Sequence, residues 1–210
     1  MPMQTEPTVF VVDDDPDVRD AIQLLLHTVG RPVMTFESAP AFLDTYDATQ
    51  PGCLVLDVRL KGMSGLELQT ELHRQSITIP VIIITAHGDM PLAVRAMKAG
   101  ALDCLAKPFN DQELLERIQQ AIDLDARSRE KLACTDKIAA RLALLTPRER
   151  EVLNGILEGK TSQVIANELD IAKKTIDAHR AAIMEKMEAR SVAELVRLVI
   201  KLNNPAAPVA

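Results

Sequence analysis

Over the first 120 residues, short apolar runs alternate with stretches in which apolar side chains return every three or four positions. Residues 8–12, 32–36, 53–56, 81–84 and 102–106 predict strands. Residues 18–29, 39–46, 66–75, 90–99 and a segment from about Asp111 predict helices. Strands bounded by turn residues and separated by helices of this length indicate βαβ units and a parallel sheet. Val81-Ile82-Ile83-Ile84 is apolar on both faces, as a sheet covered on both sides requires. The expected fold class is therefore α/β, a doubly wound five-stranded parallel sheet.

The last helix of this set has no obvious stop. Asn110-Asp111-Gln112-Glu113 resembles a capping box, and Leu114, Ile118, Ala121 and Ile122 follow at helical spacing. Beyond them the chain turns polar yet helix-favouring. Residues 123–140 read as a semi-rigid helical linker; the alternative is a disordered tether, and the lack of Gly and Pro favours the helix. From Leu144 the period is helical throughout. Thr146-Pro147-Arg148-Glu149 supplies an N-cap, Pro at N1 and Glu at N3, and Gly159 ends that helix. Residues 162–169 and 173–187 form the next two helices. Ser191-Val192-Ala193-Glu194 opens a fourth, carrying Leu195, Val199 and Leu202 on one stripe, and residues 203–210 read as a frayed tail. The expected division is 1–122 for the sheet domain, 123–140 for the linker and 141–210 for a second, all-α domain.

Composition narrows the class. The 210 residues are 47% hydrophobic and 26% charged, a soluble globular mixture. No apolar run approaches the roughly 18 residues of a membrane span, and the start lacks a secretory leader. Three cysteines form neither metal spacing nor an even disulfide set. A cytoplasmic protein with no membrane partner is expected. The net charge of −6 argues against coating nucleic acid, but it is unevenly spread. Residues 1–140 carry 13 Lys and Arg against 21 Asp and Glu, whereas residues 141–210 carry 11 against 9. An acidic front and a mildly basic back imply modules with different partners. None of the five aromatics lies beyond residue 109, which excludes base stacking as a recognition mode for the back half.

Chemistry concentrates at predicted strand ends. Asp13, Asp14 and Asp15 follow the first strand and Asp57 ends the third. With strand order 2-1-3-4-5 these strands are neighbours at the switch point where ligands bind. Asp13, Asp14 and Asp57 would converge, and clustered carboxylates repel unless a cation joins them. Hard, all-oxygen ligation favours Mg²⁺ (or Mn²⁺). Thr85 ends the fourth strand and Lys107 follows the fifth. The set suits phosphoryl transfer, with Asp57 as nucleophile, Lys107 neutralising phosphoryl oxygens and Thr85 donating a hydrogen bond. An Asp-rich run alone is usually a solvated loop; four strand ends with complementary groups are what carry the site.

Residues 7–125 resemble the receiver domain of two-component response regulators. The resemblance lies in Val-Val-Asp13-Asp14, Leu-Val-Leu-Asp57-Val-Arg, Gly62-Met-Ser-Gly65, Ile-Thr85-Ala-His-Gly-Asp and Lys107-Pro108-Phe109. It implies that Asp57 accepts a phosphoryl group from a sensor histidine kinase. It also implies that Asp13, Asp14, Asp57 and the carbonyl of Arg59 hold the metal, and that the Lys107–Pro108 bond is cis. Two positions depart from the family pattern. Lys61 stands where Pro is usual. Cys104 stands at the switch position, where Tyr or Phe is usual; it is expected to be a small buried hydrophobe. The movement of Thr85 would then be read out through other residues of the strand 4–helix 4–strand 5 face, with smaller amplitude.

A helical projection of residues 173–187 places Ile176, Ile183 and Met187 inward and Lys174, Ala178, Ala181 and Glu185 outward, flanked by Asp177. Residues 146–199 resemble the helix-turn-helix domain of the LuxR/NarL/FixJ type, through Leu-Thr-Pro-Arg-Glu-Arg-Glu-Val-Leu, Gly-Lys-Thr-Ser-Gln-Val-Ile-Ala, Thr175-Ile-Asp-Ala-His179-Arg and Ile-Met-Glu-Lys186-Met. The His-Gly-Asp after Thr85 is most like the FixJ subgroup. The resemblance implies that the outer face enters the DNA major groove. There Lys174 would meet guanine, Asp177 cytosine, and Ala178 or Ala181 a thymine methyl, with Thr175 on the same helix start. Lys160, Lys173, Arg180 and Lys186 are the candidates for phosphates. The plain alternative is that these charges solvate a helix. Ala172 replaces the usual Ser cap of that helix.

The resulting expectation is a non-enzyme whose receiver supports only its own phosphorylation and slow autodephosphorylation. Phosphorylation would promote homodimerisation or unmask the DNA-binding domain. The partners would be promoter DNA with two half-sites and RNA polymerase. A sigma-factor-like promoter-recognition subunit would share the helix start at Thr146 but has no use for the acidic pocket. An aspartyl-phosphate hydrolase would carry its nucleophile after the first strand and add a cap domain.

Overall fold

The structure, a computed structural model, describes residues 6–86 and 90–203. The His87-Gly88-Asp89 part of the receiver motif and the tail from residue 204 lie outside them. The chain divides into two compact units, up to Ser128 and from Arg129.

In the first unit β1 (Thr8–Val12), β2 (Val33–Phe36), β3 (Gly52–Asp57), β4 (Val81–Ala86) and β5 (Asp103–Lys107) form one parallel sheet of order β2-β1-β3-β4-β5. Helices α1 (Pro16–Thr28), α2 (Ala39–Thr45), α3 (Gly65–Arg74), α4 (Met90–Lys98) and α5 (Asp111–Ala143) alternate with the strands. The doubly wound fold expected from the pattern is the one observed.

The alternation of side chains along the strands builds two cores. Phe10, Val12, Leu54, Leu56 and Ile83 pack with Leu68 and Leu72 of α3 on one face. Val9, Val11, Val55, Ile82 and Ile84 pack with Ile22 and Leu26 of α1 and with Leu114 and Ile118 of α5 on the other. The first core also gathers four of the five aromatic residues, Phe10, Phe36, Phe42 and Tyr46. Phe42 stacks on Tyr46 at 4.9 Å between ring centroids, and Phe10 meets both rings edge-on at 5.9 and 5.1 Å.

Helix α1 starts two residues before its apolar pattern does. The Asp15 side chain accepts from the Asp17 N–H and Pro16 sits in the first turn, so cap chemistry sets the start. Helix α5 runs unbroken for 33 residues, and residues 123–140 lie wholly inside it. That polar stretch contributes a buried group to each unit. Asp125 accepts a 2.9 Å bond from the Gly52 N–H in the first, and Ile138 enters the core of the second. Only glycine fits at position 52, because a Cβ there would meet the Thr8 carbonyl oxygen at 1.9 Å.

The second unit consists of the end of α5 with α6 (Pro147–Leu157), α7 (Ser162–Leu169), α8 (Lys173–Lys186) and α9 (Val192–Asn203). Its core joins Val152, Ile165, Ile176, Ile183, Met187 and Leu195, so the inward face read for α8 is the one it buries. Thr146 and Glu149 form a complete capping box at the start of α6. Asp170 takes a left-handed conformation at the end of α7 and turns the chain into α8. Ala172 precedes α8 with no side-chain cap bond, as its chemistry dictates.

Candidate functional site

The register brings the chemistry to one rim. Val12 pairs with Leu56, Asp57 with Ile84 and Ala86 with Lys107, so Asp13, Asp57, Thr85 and Lys107 emerge together at the carboxyl ends of β1, β3, β4 and β5. The Lys107 ammonium donates to Asp13 Oδ2 at 2.7 Å and to Asp57 Oδ2 at 2.5 Å. The remaining oxygens are held by backbone. Asp13 Oδ1 accepts from the Asp15 N–H and Asp57 Oδ1 from the Arg59 N–H. Helix α3 approaches so closely that a Cβ on Gly65 would meet the Asp57 carbonyl oxygen at 2.3 Å. The Lys107–Pro108 bond is cis.

Electrostatically the rim is undercompensated. Burial pushes the Asp13 carboxyl above its ordinary range, and the Asp57 charge adds to this. The hydrogen bonds from Lys107 and Asp15 pull the other way without cancelling it. Burial works against the Lys107 charge too, but its bonds to both carboxylates outweigh that and raise its pKa. One ammonium thus serves two carboxylates, and the balance of the site is an unmatched negative charge. Thr85 is 1% exposed and its hydroxyl has no hydrogen-bond partner among the described residues.

The remaining acidic residues separate in role. Asp14 is paired by Lys61 at 3.0 Å, and Asp15 caps α1. Among the described residues no three metal-ligating side chains are gathered as a centre. The donor chemistry still suits a hard divalent cation, because two carboxylates meet at a rim with negative charge to spare. A largely apolar groove of about 490 Å³ leads away from Lys107 between Val18, Ala21 and Leu25 of α1 and Pro108 and Phe109.

Residues 9–119 match the response regulator receiver domain, and residues 143–199 match the bacterial regulatory proteins of the luxR family. The chain belongs to the two-component response regulators. It is 44% identical over 199 residues to the transcriptional regulatory protein FixJ of Bradyrhizobium diazoefficiens, covering 95% of this chain and 97% of that one. It is 40% identical to the response regulator protein TmoT of Ectopseudomonas mendocina, covering 95% and 90%. The solved structure of the response regulator StyR matches with a TM-score of 0.87 and 48% identity, covering 94% of this chain and all of that one. Full-length FixJ from B. japonicum matches at 0.59 and 43%, covering 95% and 98%. The regulator is a transcriptional one, with a receiver and a LuxR-type DNA-binding domain. No described helix is long and apolar enough to cross a membrane.

In the DNA-binding domain of the regulator, Lys174, Thr175, Ala178 and Ala181 stand exposed on α8. Several other residues read as DNA contacts have partners inside the protein. Lys186 donates to both carboxylate oxygens of Glu149 at 2.9 and 2.7 Å, which ties α8 to the start of α6. The Ser162 hydroxyl and Lys173 bond to Asp177 and lower its pKa, linking α7 to α8. Lys160 lies between Glu158 and Glu168. Arg180 lies near enough to Asp177 to favour its charge. The sequence reading took Glu149 only as a cap residue. The signal for its second role is faint, a lysine 37 positions away with no periodic relation to it.

Proposed function

We propose that Asp57 is the phosphoacceptor of this regulator and that its phosphorylation by a sensor histidine kinase controls DNA binding by α8. The reading rests on one observation above all: Asp13 and Asp57 share the Lys107 ammonium on adjacent strand ends, beside the buried, unpartnered hydroxyl of Thr85. An Asp57 oxygen attacks the phosphorus of a phosphohistidine, the P–N bond breaks, and the imidazole leaves with the electron pair. Lys107 then neutralises one phosphoryl oxygen and Thr85 donates its hydroxyl proton to another. Asp13, Asp14, Asp57 and the Arg59 carbonyl would hold Mg²⁺, with Asp14 released from Lys61. When bound, the ion supplies positive charge to the phosphoryl oxygens. The groove beside Lys107 is largely apolar and runs along Val18, Ala21 and Leu25, which suits a kinase helix laid along α1.

The division into residues 1–122, 123–140 and 141–210 belongs to this reading, as do slow autodephosphorylation, homodimerisation on phosphorylation and contact with RNA polymerase. A domain with a net charge of only +2 grips DNA weakly alone, and two copies on two half-sites gain affinity from linkage. Lys174, Thr175, Ala178 and Ala181 would face the bases, with Asp177 positioned by Ser162. Lys160, Lys173, Arg180 and Lys186 would approach phosphates, the three lysines by exchanging their present carboxylate partners. The test is incubation of the full chain with acetyl phosphate and Mg²⁺, followed by intact mass and binding to genomic DNA fragments. One phosphoryl group and tighter DNA binding are expected, both lost in Asp57→Ala. Equal DNA binding by wild type and variant with phosphodonor present would overturn the reading.

A further inference from the structure

Asp13, Asp14 and Asp57 are each met by an ammonium, but the two lysines are held very differently. Lys107 lies between Asp13 and Asp57 with its side chain 22% exposed. Lys61 reaches Asp14 Oδ2 at 3.0 Å with its side chain 87% exposed. Asp14 has no second ion-pair partner among the described residues. We propose, on the reading of Asp14 as a metal ligand given above, that Lys61 is a tethered stand-in for the metal. Its displacement sets the Mg²⁺ concentration at which the receiver becomes competent for phosphorylation.

The loop that carries Lys61 is pinned at both ends. The Arg59 N–H donates to Asp57 Oδ1 at 2.8 Å, so the phosphoacceptor itself fixes the first turn. At the other end the Gly65 N–H donates to the Val58 carbonyl at 3.0 Å, and Ser64 with Glu67 caps α3. Between these pins Gly62 turns the chain at a φ of +79°, and a Cβ there would meet nothing within 4 Å. The middle of the loop therefore stands clear of the fold. Position 61 is kept beside the rim while its side chain stays free to swing.

An ammonium and a metal ion compete for the same oxygen. The metal binds only those molecules in which the pair is open, and its apparent affinity falls by that fraction. An exposed pair is weak, and displacement requires that it be weak: open about a third of the time, it weakens the metal about three-fold without excluding it. Proline, the usual residue here, carries no charge and offers no such competition. A monovalent ion brings Asp14 no more charge than the ammonium already does, whereas a divalent ion doubles it. The lysine thus guards the site against sodium and potassium and yields to Mg²⁺.

The experiment titrates MgCl₂ into the isotope-labelled full chain at constant ionic strength. It follows the amides of Asp13, Asp14 and Asp57 together with the Nζ resonance of Lys61. Lys61→Gln should bind Mg²⁺ about three-fold more tightly than wild type, and Lys61→Arg, which keeps the charge, should match wild type. In the wild type the Nζ resonance should move to the free-lysine position with the same midpoint as the amides. Equal midpoints in wild type and Lys61→Gln would overturn the role of Lys61 alone. So would a tighter midpoint in Lys61→Gln with a wild-type Nζ that ignores Mg²⁺, leaving only the net charge of the loop. Absence of saturable amide shifts in all three proteins would instead overturn the metal site on which that role rests. In a second arm, acetyl phosphate labelling of Lys61→Gln should reach half its maximum at about three-fold less Mg²⁺, with the maximal rate unchanged. A changed maximal rate at an unchanged midpoint would overturn displacement and assign Lys61 to the phosphoryl group.

Discussion

Lys107 and Lys186 each place an ammonium against carboxylates at 2.5 to 2.9 Å, one in each unit of the chain. Around Lys107, burial leaves Asp13 with its pKa raised, so the fold bears the cost of an ill-matched charge. Around Lys186, Glu149 takes both oxygens to one ammonium and a third bond from the Thr146 N–H, and its pKa falls to about 2. The Coulomb partners are alike; what differs is how many charges share one cation. Two carboxylates on one lysine make a site that can still accept a positive ion. One carboxylate fully matched makes a strut between two helices.

Removing either lysine should lower stability at neutral pH, but the two losses should respond differently to acid. Lys107→Met leaves two carboxylates facing each other, and we expect the first unit to lose roughly 2 to 3 kcal/mol at neutral pH, less than a fully buried pair because the lysine is partly exposed. Urea unfolding followed by amide hydrogen exchange in β1 and β3 measures it. Acidification or Mg²⁺ should restore most of the loss. Asp13→Asn in the same assay should raise stability by about 1 kcal/mol, and a loss instead would refute the ill-matched charge.

The second cluster predicts a pH window. Glu149 is held near 2 against an ordinary 4.5, so its contribution is complete above pH 4.5 and is lost as pH falls towards 2. Acid unfolding of the helices of the second unit should begin in that window. Lys186→Met should lower stability at pH 7 and flatten the acid dependence. An unchanged acid profile in the variant would remove the strut.

The smallest effect tests the helix the contrast leaves unsupported. Ala172→Ser supplies the missing cap of α8 and should stabilise the second unit by about 1 kcal/mol without changing the first. Thermal unfolding of both proteins checks it.

Periodicity and strand-end chemistry revealed much of this molecule. The alternation of Val9 to Val12 and the runs at Leu54 and Ile82 dictated a two-sided sheet, and the order of its strands then gathered Asp13, Asp57, Thr85 and Lys107. Local caps at Thr146 and Ser191 were legible because their partners lie three residues away, whereas those at Asp15 and Ser64 were not read. The rest depends on single side chains meeting across long separations. Asp125 reaches Gly52 and Lys186 reaches Glu149 from segments that read as polar surface, and no period announces such pairings. Lys61 on Asp14 is similar: the residue stood out as a departure, but its partner did not.

The aromatic cluster of the first core has a spectroscopic consequence. The chain has no tryptophan and one tyrosine, and its Phe and Tyr rings all lie at or before Phe109. Tyrosine emission and near-ultraviolet ellipticity therefore come from the receiver alone, with Tyr46 stacked on Phe42 as the main chromophore. Peptide-band ellipticity, by contrast, is weighted towards both sets of helices. Heating one sample while recording both signals gives the receiver's melting curve directly and the DNA-binding unit's by difference. No label or truncation is needed, because the uneven placement of five rings has already marked one unit and left the other dark.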